Sequence, residues 1–237
     1  MTEEEVMNGQ TQQNFGKKNN MQIAGNKTIK DWRNLVGDAK NLKIDYNSDE
    51  KWDEAYKYFE LRICTRYLKP IDAILNMKSY DGEGFAIVNL QCSLIEMIES
   101  FINGWIFDYP NFINSKGITL KGNDKIFKSF FNNREPFKNY TPKISGKRFY
   151  IDVRCGLLHE TQTKNNWKIK KGIENGNAYE LYDNFKIIYR ENFQRDIQFL
   201  IDRYKNVIIN GGEFDGISAC ELRENFVAKF NHICLKS

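Results

Sequence analysis

Arg154 and His159 stand five residues apart in the stretch FYIDVRCGLLHETQTKNNW, residues 149–167. Together they offer what a reaction at an anionic centre needs. An imidazole titrates near neutral pH and can take or give a proton. A guanidinium stays charged and presents a planar fork of donors to anionic oxygens. The chain has only two histidines, so His159 is a scarce group in this place. Both residues also have a plainer use. Ile151 and Leu158 lie at i−3 and i+4 from Arg154, which suits an arginine resting on an apolar face with its head paired to a carboxylate. His159 can cap a helix C-terminus, where a partly positive ring is favoured.

Positive charge gathers around the pair. Between Lys143 and Lys171 eight basic residues, Lys147 and Arg148 among them, meet only Asp152 and Glu160. That segment nets +6 in a chain of net charge +4, which leaves −2 for the rest. Such a patch attracts phosphate, and it also makes an ordinary solvated face. Gln162, Thr163, Lys164 and Trp167 follow at once and bring an amide, a hydroxyl, an ammonium and an indole. These groups can hold a nucleic-acid backbone and stack a base. The commoner use of such a stretch is a polar connection, here one in which Trp167 anchors the hairpin.

Other candidates carry less. Cys155 has apolar neighbours and reads as a small core residue. His232 has Cys234 nearby and no further ligand set, so no metal site is expected. Glu96 and Glu99 sit one helical turn apart without a matching E-x-x-H. They are expected as ion-pair partners, with Arg154 among the candidate mates. Five widely spaced cysteines without a C-x-x-C pair argue against a disulfide framework or a zinc ribbon and for a reducing, cytoplasmic setting.

Helices must position these residues. Trp52, Ala55, Tyr56, Phe59, Ile63 and Tyr67 mark one helical face, with Pro70 ending or kinking that helix. A second long helix is expected over Phe85–Phe107, a third over Asp124–Asn133 ahead of Pro136, and a fourth from Ser145 to His159. NWKIKKG, NAYELYD and FKIIYRE alternate and read as a small β-hairpin or meander, about residues 166–190. Two further helices are expected over RENFQRDIQFLIDRYKNVII and Ile217–Ile233. Residues 1–48 read as a flexible or partly ordered N-terminal arm ahead of a domain over 49–237. Within the arm, Ile29, Trp32, Leu35 and Val36 permit a short docking helix. No uninterrupted apolar run of about 18–20 residues is present, and the acidic, polar N-terminus lacks the marks of a signal peptide. On an ideal α-helix five residues turn about 500°, so Arg154 and His159 sit about 140° apart and about 7.5 Å along the axis. They share a site only if the helix loosens, which Gly156 permits, or if a second subunit completes it.

The sequence RCGLLH, late in a helix with long helices before and after it, resembles the R-x(4–6)-H motif of the HEPN superfamily. The resemblance spans roughly residues 49–209, loosely except at the motif. It implies a mainly α, HEPN-like bundle with the β-hairpin inserted after the motif helix, forming a homodimer that sets two motifs around one cleft. Active members cut RNA there without a metal or cofactor. In that reading His159 is the general base or acid and Arg154 clamps the phosphate. Lys147, Arg148, Gln162, Lys164 and Trp167 would hold the RNA. The products would carry a 2′,3′-cyclic phosphate and a 5′-hydroxyl. The setting would be toxin or phage defence, with an antitoxin or nucleotidyltransferase as a further partner. The alternative is a catalytically silent HEPN-like module that binds RNA, a nucleotide or a protein, and a third is a purely structural interaction domain. Cys155 favours silence, because it stands where many active members carry Asn, Asp or His.

Overall fold

The computed structural model describes residues 19–38, 40–77, 82–114, 116–140, 144–172 and 176–236. The chain is mainly α, with small sheets at the connections. A short hairpin, β1 (Gln22–Ala24) and β2 (Lys27–Thr28), leads into α1 (Ile29–Val36). Thr28 and Asp31 cap that helix reciprocally: the Thr28 hydroxyl accepts the Asp31 N–H, and the Asp31 carboxylate accepts the Thr28 N–H. The helix buries Ile29, Trp32 and Val36, and the Trp32 indole donates to Asn231 Oδ1 at 2.8 Å. These described residues of the expected arm are therefore built into the core; residues 1–18 lie outside the described residues.

The next helix, α2 (Trp52–Ile63), turns Trp52, Ala55, Tyr56, Phe59 and Ile63 inward. A π-helical turn over Cys64–Leu68 joins it to α3 (Lys69–Asn76). Pro70 supplies the reason. It has no N–H and crowds the carbonyl four residues back, so a regular α ladder cannot run through it. The widened turn hands the chain on, with the Lys69 N–H bonded to the Cys64 carbonyl.

The central helix is α4 (Glu83–Ile102). Among the described helices it is the one long and apolar enough to cross a membrane by composition, yet most of it is buried inside the protein. It stops at Ile102, short of the expected Phe107. Gly104 turns at φ +66, and the Asn225 amide donates to the Ile102 carbonyl at 2.8 Å. Asn-Gly is a helix stop, but the apolar run Trp105–Phe107 behind it hides the signal. Those residues lead into an antiparallel meander, β3 (Ile106–Asp108), β4 (Asn111–Ile113) and β5 (Thr119–Lys121), that the helical expectation did not contain.

Helix α5 (Asp124–Asn133) has the expected bounds. The motif helix follows in three parts: α6 (Gly146–Phe149), a π-helical segment over Tyr150–Cys155, and α7 (Gly156–Glu160). The expected hairpin or meander is instead a mixed sheet of β6 (Trp167–Lys170), β7 (Tyr179–Leu181) and β8 (Lys186–Tyr189) in the order β6–β8–β7, with β6 parallel to β8. Ile187 and Ile188, consecutive and both buried, suit a central strand covered on both faces. Helix α8 (Arg190–Asn210) comes next. A hairpin of β9 (Glu213–Phe214) and β10 (Ile217–Ser218) precedes α9 (Ala219–Lys236), which starts two residues later than expected because Ile217 and Ser218 pair as a strand.

Aromatic rings fill the centre. Phe226 of α9 lies within 6.3 Å, centroid to centroid, of Trp32, Trp52, Tyr56, Phe59, Phe101 and Phe230. Burying one such side chain is worth about 1.5–3 kcal/mol. Arg223, also buried, bonds the Ile208 and Ile209 carbonyls at the end of α8 and the carbonyls of Tyr46 and Ser48, so the 46–48 segment is tied to the bundle.

The motif helix packs against α5 through a backbone contact. A Cβ on Gly146 would fall 2.4 Å from the Phe127 carbonyl oxygen and 2.7 Å from Lys128 Cα. No flexible side chain can yield there. Gly146→Ala is therefore expected to lose about 1–3 kcal/mol in denaturant unfolding; an unchanged midpoint would show that the two helices separate freely.

Candidate functional site around Arg154 and His159

The π-helical segment sets the site. Its widening brings Tyr150 beside Cys155, and burial together with that thiol pushes the Tyr150 hydroxyl up to about 12. The loosening thus takes in Arg154 and Cys155 and ends at Gly156, where it was expected to begin. From Gly156 to Glu160 the helix is α, and the side chains of Arg154 and His159 part: one turns in toward Glu96 and the other is exposed.

Arg154 turns inward. Its Nε donates to Glu96 Oε1 on α4 at 2.7 Å, and its side chain is 16% exposed. Glu96 takes only that edge. The two terminal nitrogens have no hydrogen-bond partner among the described residues and are not buried. His159 faces solvent and hydrogen-bonds to none of the described residues. Glu99, one turn from Glu96, takes a different arginine: Arg134 Nε lies 2.8 Å from its Oε2.

Gly156 has a use other than loosening. A Cβ there would sit 2.5 Å from the Gln162 carbonyl oxygen, because the chain doubles back over the helix at this point. Asp152, buried, staples that return: its carbonyl accepts the Lys164 N–H at 2.7 Å, and its carboxylate accepts the Asn165 amide at 2.6 Å. The Thr163 hydroxyl donates to the Trp167 carbonyl at 2.6 Å.

The expected contact residues divide. Lys147, Arg148 and Gln162 are exposed. Lys164 is held by Glu160 in an ion pair on the same surface. Trp167 is 5% exposed, packed edge-on against Phe149 and Tyr179, so its ring is not free to stack a base. It anchors the sheet to the motif helix instead.

A cleft of about 300 Å³ opens where these elements meet, lined by Ser145, Arg148, Asp152, Asn165, Trp167 and Lys186 among others. Lys186 Nζ lies 5.8 Å from the centroid of the Trp167 ring, and the Trp167 Nε1 is buried without a partner. Two cations and the Asp152 carboxylate thus share a small polar recess beside the motif. Sequence reasoning missed Asn165, which reaches the motif helix through Asp152, and Lys186, which the parallel β6–β8 pairing sets opposite Trp167. Among the described residues no group of three or more His, Cys, Asp or Glu side chains is placed to hold a metal ion.

No protein-family model matches the chain, and no curated protein or solved structure matches it significantly.

Proposed function

We propose that this chain is a metal-independent endoribonuclease of the HEPN kind, active as a homodimer in a toxin or phage-defence setting. The observation that carries the reading is the state of Arg154. Glu96 fixes it through Nε alone and leaves the forked end of the guanidinium free. That is how a phosphate clamp has to be held: oriented by one carboxylate, with two donors left for the phosphoryl oxygens. His159 stands in the α-helical turn that follows, open to solvent.

Cleavage would proceed by proton transfer from the ribose 2′-hydroxyl to His159 as that oxygen attacks the adjacent phosphorus. The 5′-oxygen then leaves with a proton given back by the imidazolium so formed or by water, and Arg154 answers the charge on the pentacoordinate phosphorus. Within one subunit the two side chains diverge, so the reading requires the motif of a second subunit to supply the missing partner. Arg148 and Lys186 in the neighbouring recess would take a flanking phosphate.

The test is cleavage of a mixed tRNA and mRNA pool in excess EDTA. Fragments ending in 2′,3′-cyclic phosphate, absent with His159→Ala, are expected. Intact RNA, or cleavage that the variant retains, overturns the enzyme. One observation favours the silent RNA-binding module instead: Cys155, in the place that follows the motif arginine, is engaged with Tyr150 and is a weaker hydrogen-bonding group than an amide or carboxylate. That module would bind RNA with a steep salt dependence and leave it whole.

A further inference from the structure

On the far side of Glu96 lies a second cleft, of about 390 Å³, lined by Arg62, Tyr67, Ser93, Glu96, Phe107 and Lys229 among others. Its two cations are placed unusually. Arg62 on α2 is half-buried and donates one N–H to the Ile23 carbonyl at 2.6 Å. Lys229 on α9 is half-buried and donates to the Trp105 carbonyl. Neither makes an ion pair with a carboxylate among the described residues. The one carboxylate that lines the cleft, Glu96, already answers Arg154.

Cations withdrawn from water ordinarily come with a counter-charge, because the lost hydration is costly. Carbonyl oxygens repay a fraction of it. Lys229 has three donors and Arg62 five, and each spends one. The spare donors border a cavity at the lower end of the size range of small-ligand sites. Phe107, 49% exposed, offers a ring at the same cleft.

We propose that this cleft binds a phosphate monoester, with Arg62 and Lys229 sharing the dianion and Phe107 covering the group that bears it. Either a small phosphorylated molecule or the phosphorylated end of an RNA carries that chemistry. The site is separate from the motif and stands whether or not the chain cuts RNA; Glu96 lines the cleft and also pairs with Arg154.

The titration of the site follows. Burial, with Arg62 close by, pulls the Lys229 ammonium down to about 8, and burial likewise lowers Arg62 to about 10. Tyr67 and Glu96 are the other titratable groups lining the cleft, and Arg66 and Cys234 lie near Arg62. A phosphate monoester is already dianionic above about pH 7. Lys229 therefore sets the upper limb: it must be charged to hold the ligand, and it loses its proton as pH rises through about 8. Affinity should hold up to neutral pH and fall about tenfold per unit well above 8.

The experiment is calorimetric titration of the whole chain with inorganic phosphate, phenyl phosphate, and a short RNA bearing either a 5′-phosphate or a 5′-hydroxyl. Phenyl phosphate is expected to bind more tightly than inorganic phosphate, and Lys229→Met should weaken it by about tenfold or more. The same variant is expected to melt higher than the parent without ligand, since it removes an uncompensated charge. That rise separates loss of a binding group from damage to the fold. Binding of phenyl phosphate assigns the site to small molecules. Binding confined to the 5′-phosphorylated RNA assigns it to RNA ends. No binding by any probe, or binding that Lys229→Met and Arg62→Met both retain, overturns the proposal.

Discussion

Glu99→Ala should destabilise this protein by about 3–5 kcal/mol, the largest loss expected from a single charged residue here. Glu99 is 0% exposed and Arg134 2% exposed, and the pair is bidentate: Arg134 Nε meets Glu99 Oε2 at 2.8 Å and its NH2 meets Oε1 at 3.1 Å. The carboxylate also accepts the Ser129 hydroxyl at 2.6 Å and the Asn103 amide at 2.8 Å. Removing it leaves a buried guanidinium whose remaining hydrogen bond is to Asn103 Oδ1 at 3.3 Å, with the face of Phe214 5.8 Å away and Asp215, already paired with Arg203, as the other carboxylate acting on it. For a chain of this length the loss corresponds to a melting temperature about 10 °C lower. The cost belongs to the stranded charge, not to the bridge. Replacing both partners with leucine should recover most of it. Opening the exposed Lys57–Asp53 pair should change stability by less than about 1 kcal/mol. Unfolding of the three variants in guanidinium checks the ranking, and a Glu99→Ala loss below about 1 kcal/mol would show that water reaches Arg134.

The same pair shows what could be read in the sequence and what could not. Glu96 and Glu99 at i and i+3 on an apolar helix announce that two buried or half-buried charges need mates, and Arg154 was a foreseeable one. Arg134 was not, because it lies just beyond α5 and its neighbours give it no periodic context. Long helices were legible for a simple reason: repeats at three and four residues accumulate over several turns. The short sheets were not, since strands of two or three residues such as β1, β4 and β9 leave too few positions for alternation to register. The parallel pairing of β6 with β8 is set by what covers β8, which is a property of the whole fold.

The site divides in the same way. The motif and its place near a helix end were visible in RCGLLH. The π-helical segment was not, because no local propensity in YIDVRC marks it. The two readings of Trp167, base platform and strand anchor, could be told apart only in the fold. An indole in a polar loop looks available until Phe149 and Tyr179 are found against it.

For the proposed ribonuclease, His159→Ala is expected to slow cleavage by about 10²–10⁴-fold, the range for removing a general acid–base group. Arg154→Lys should cost about 10²–10³-fold, since an ammonium keeps the charge but loses the fork that reaches two phosphoryl oxygens. The two variants should differ from mere structural damage in what they spare. His159 makes no hydrogen bond to a described residue, so its removal should leave melting temperature and RNA affinity where they were and fall wholly on kcat. Arg154→Lys retains a cation opposite Glu96, 2.7 Å away in the parent, and should fold normally. Glu96→Gln is the informative third. It keeps an oxygen to accept the Nε proton but no charge to hold the guanidinium, so as a positioning residue it should lower kcat less than Arg154→Lys does. Mixing the His159→Ala and Arg154→Lys chains tests the dimer directly. If one cleft is built from two motifs, a mixed dimer regains one intact half of the site, and activity should rise above that of either variant alone. If cleavage in the mixture stays at the sum of its parts, catalysis does not cross a subunit boundary. Arg154 and His159, which diverge within one chain, would then lack the geometry to act together.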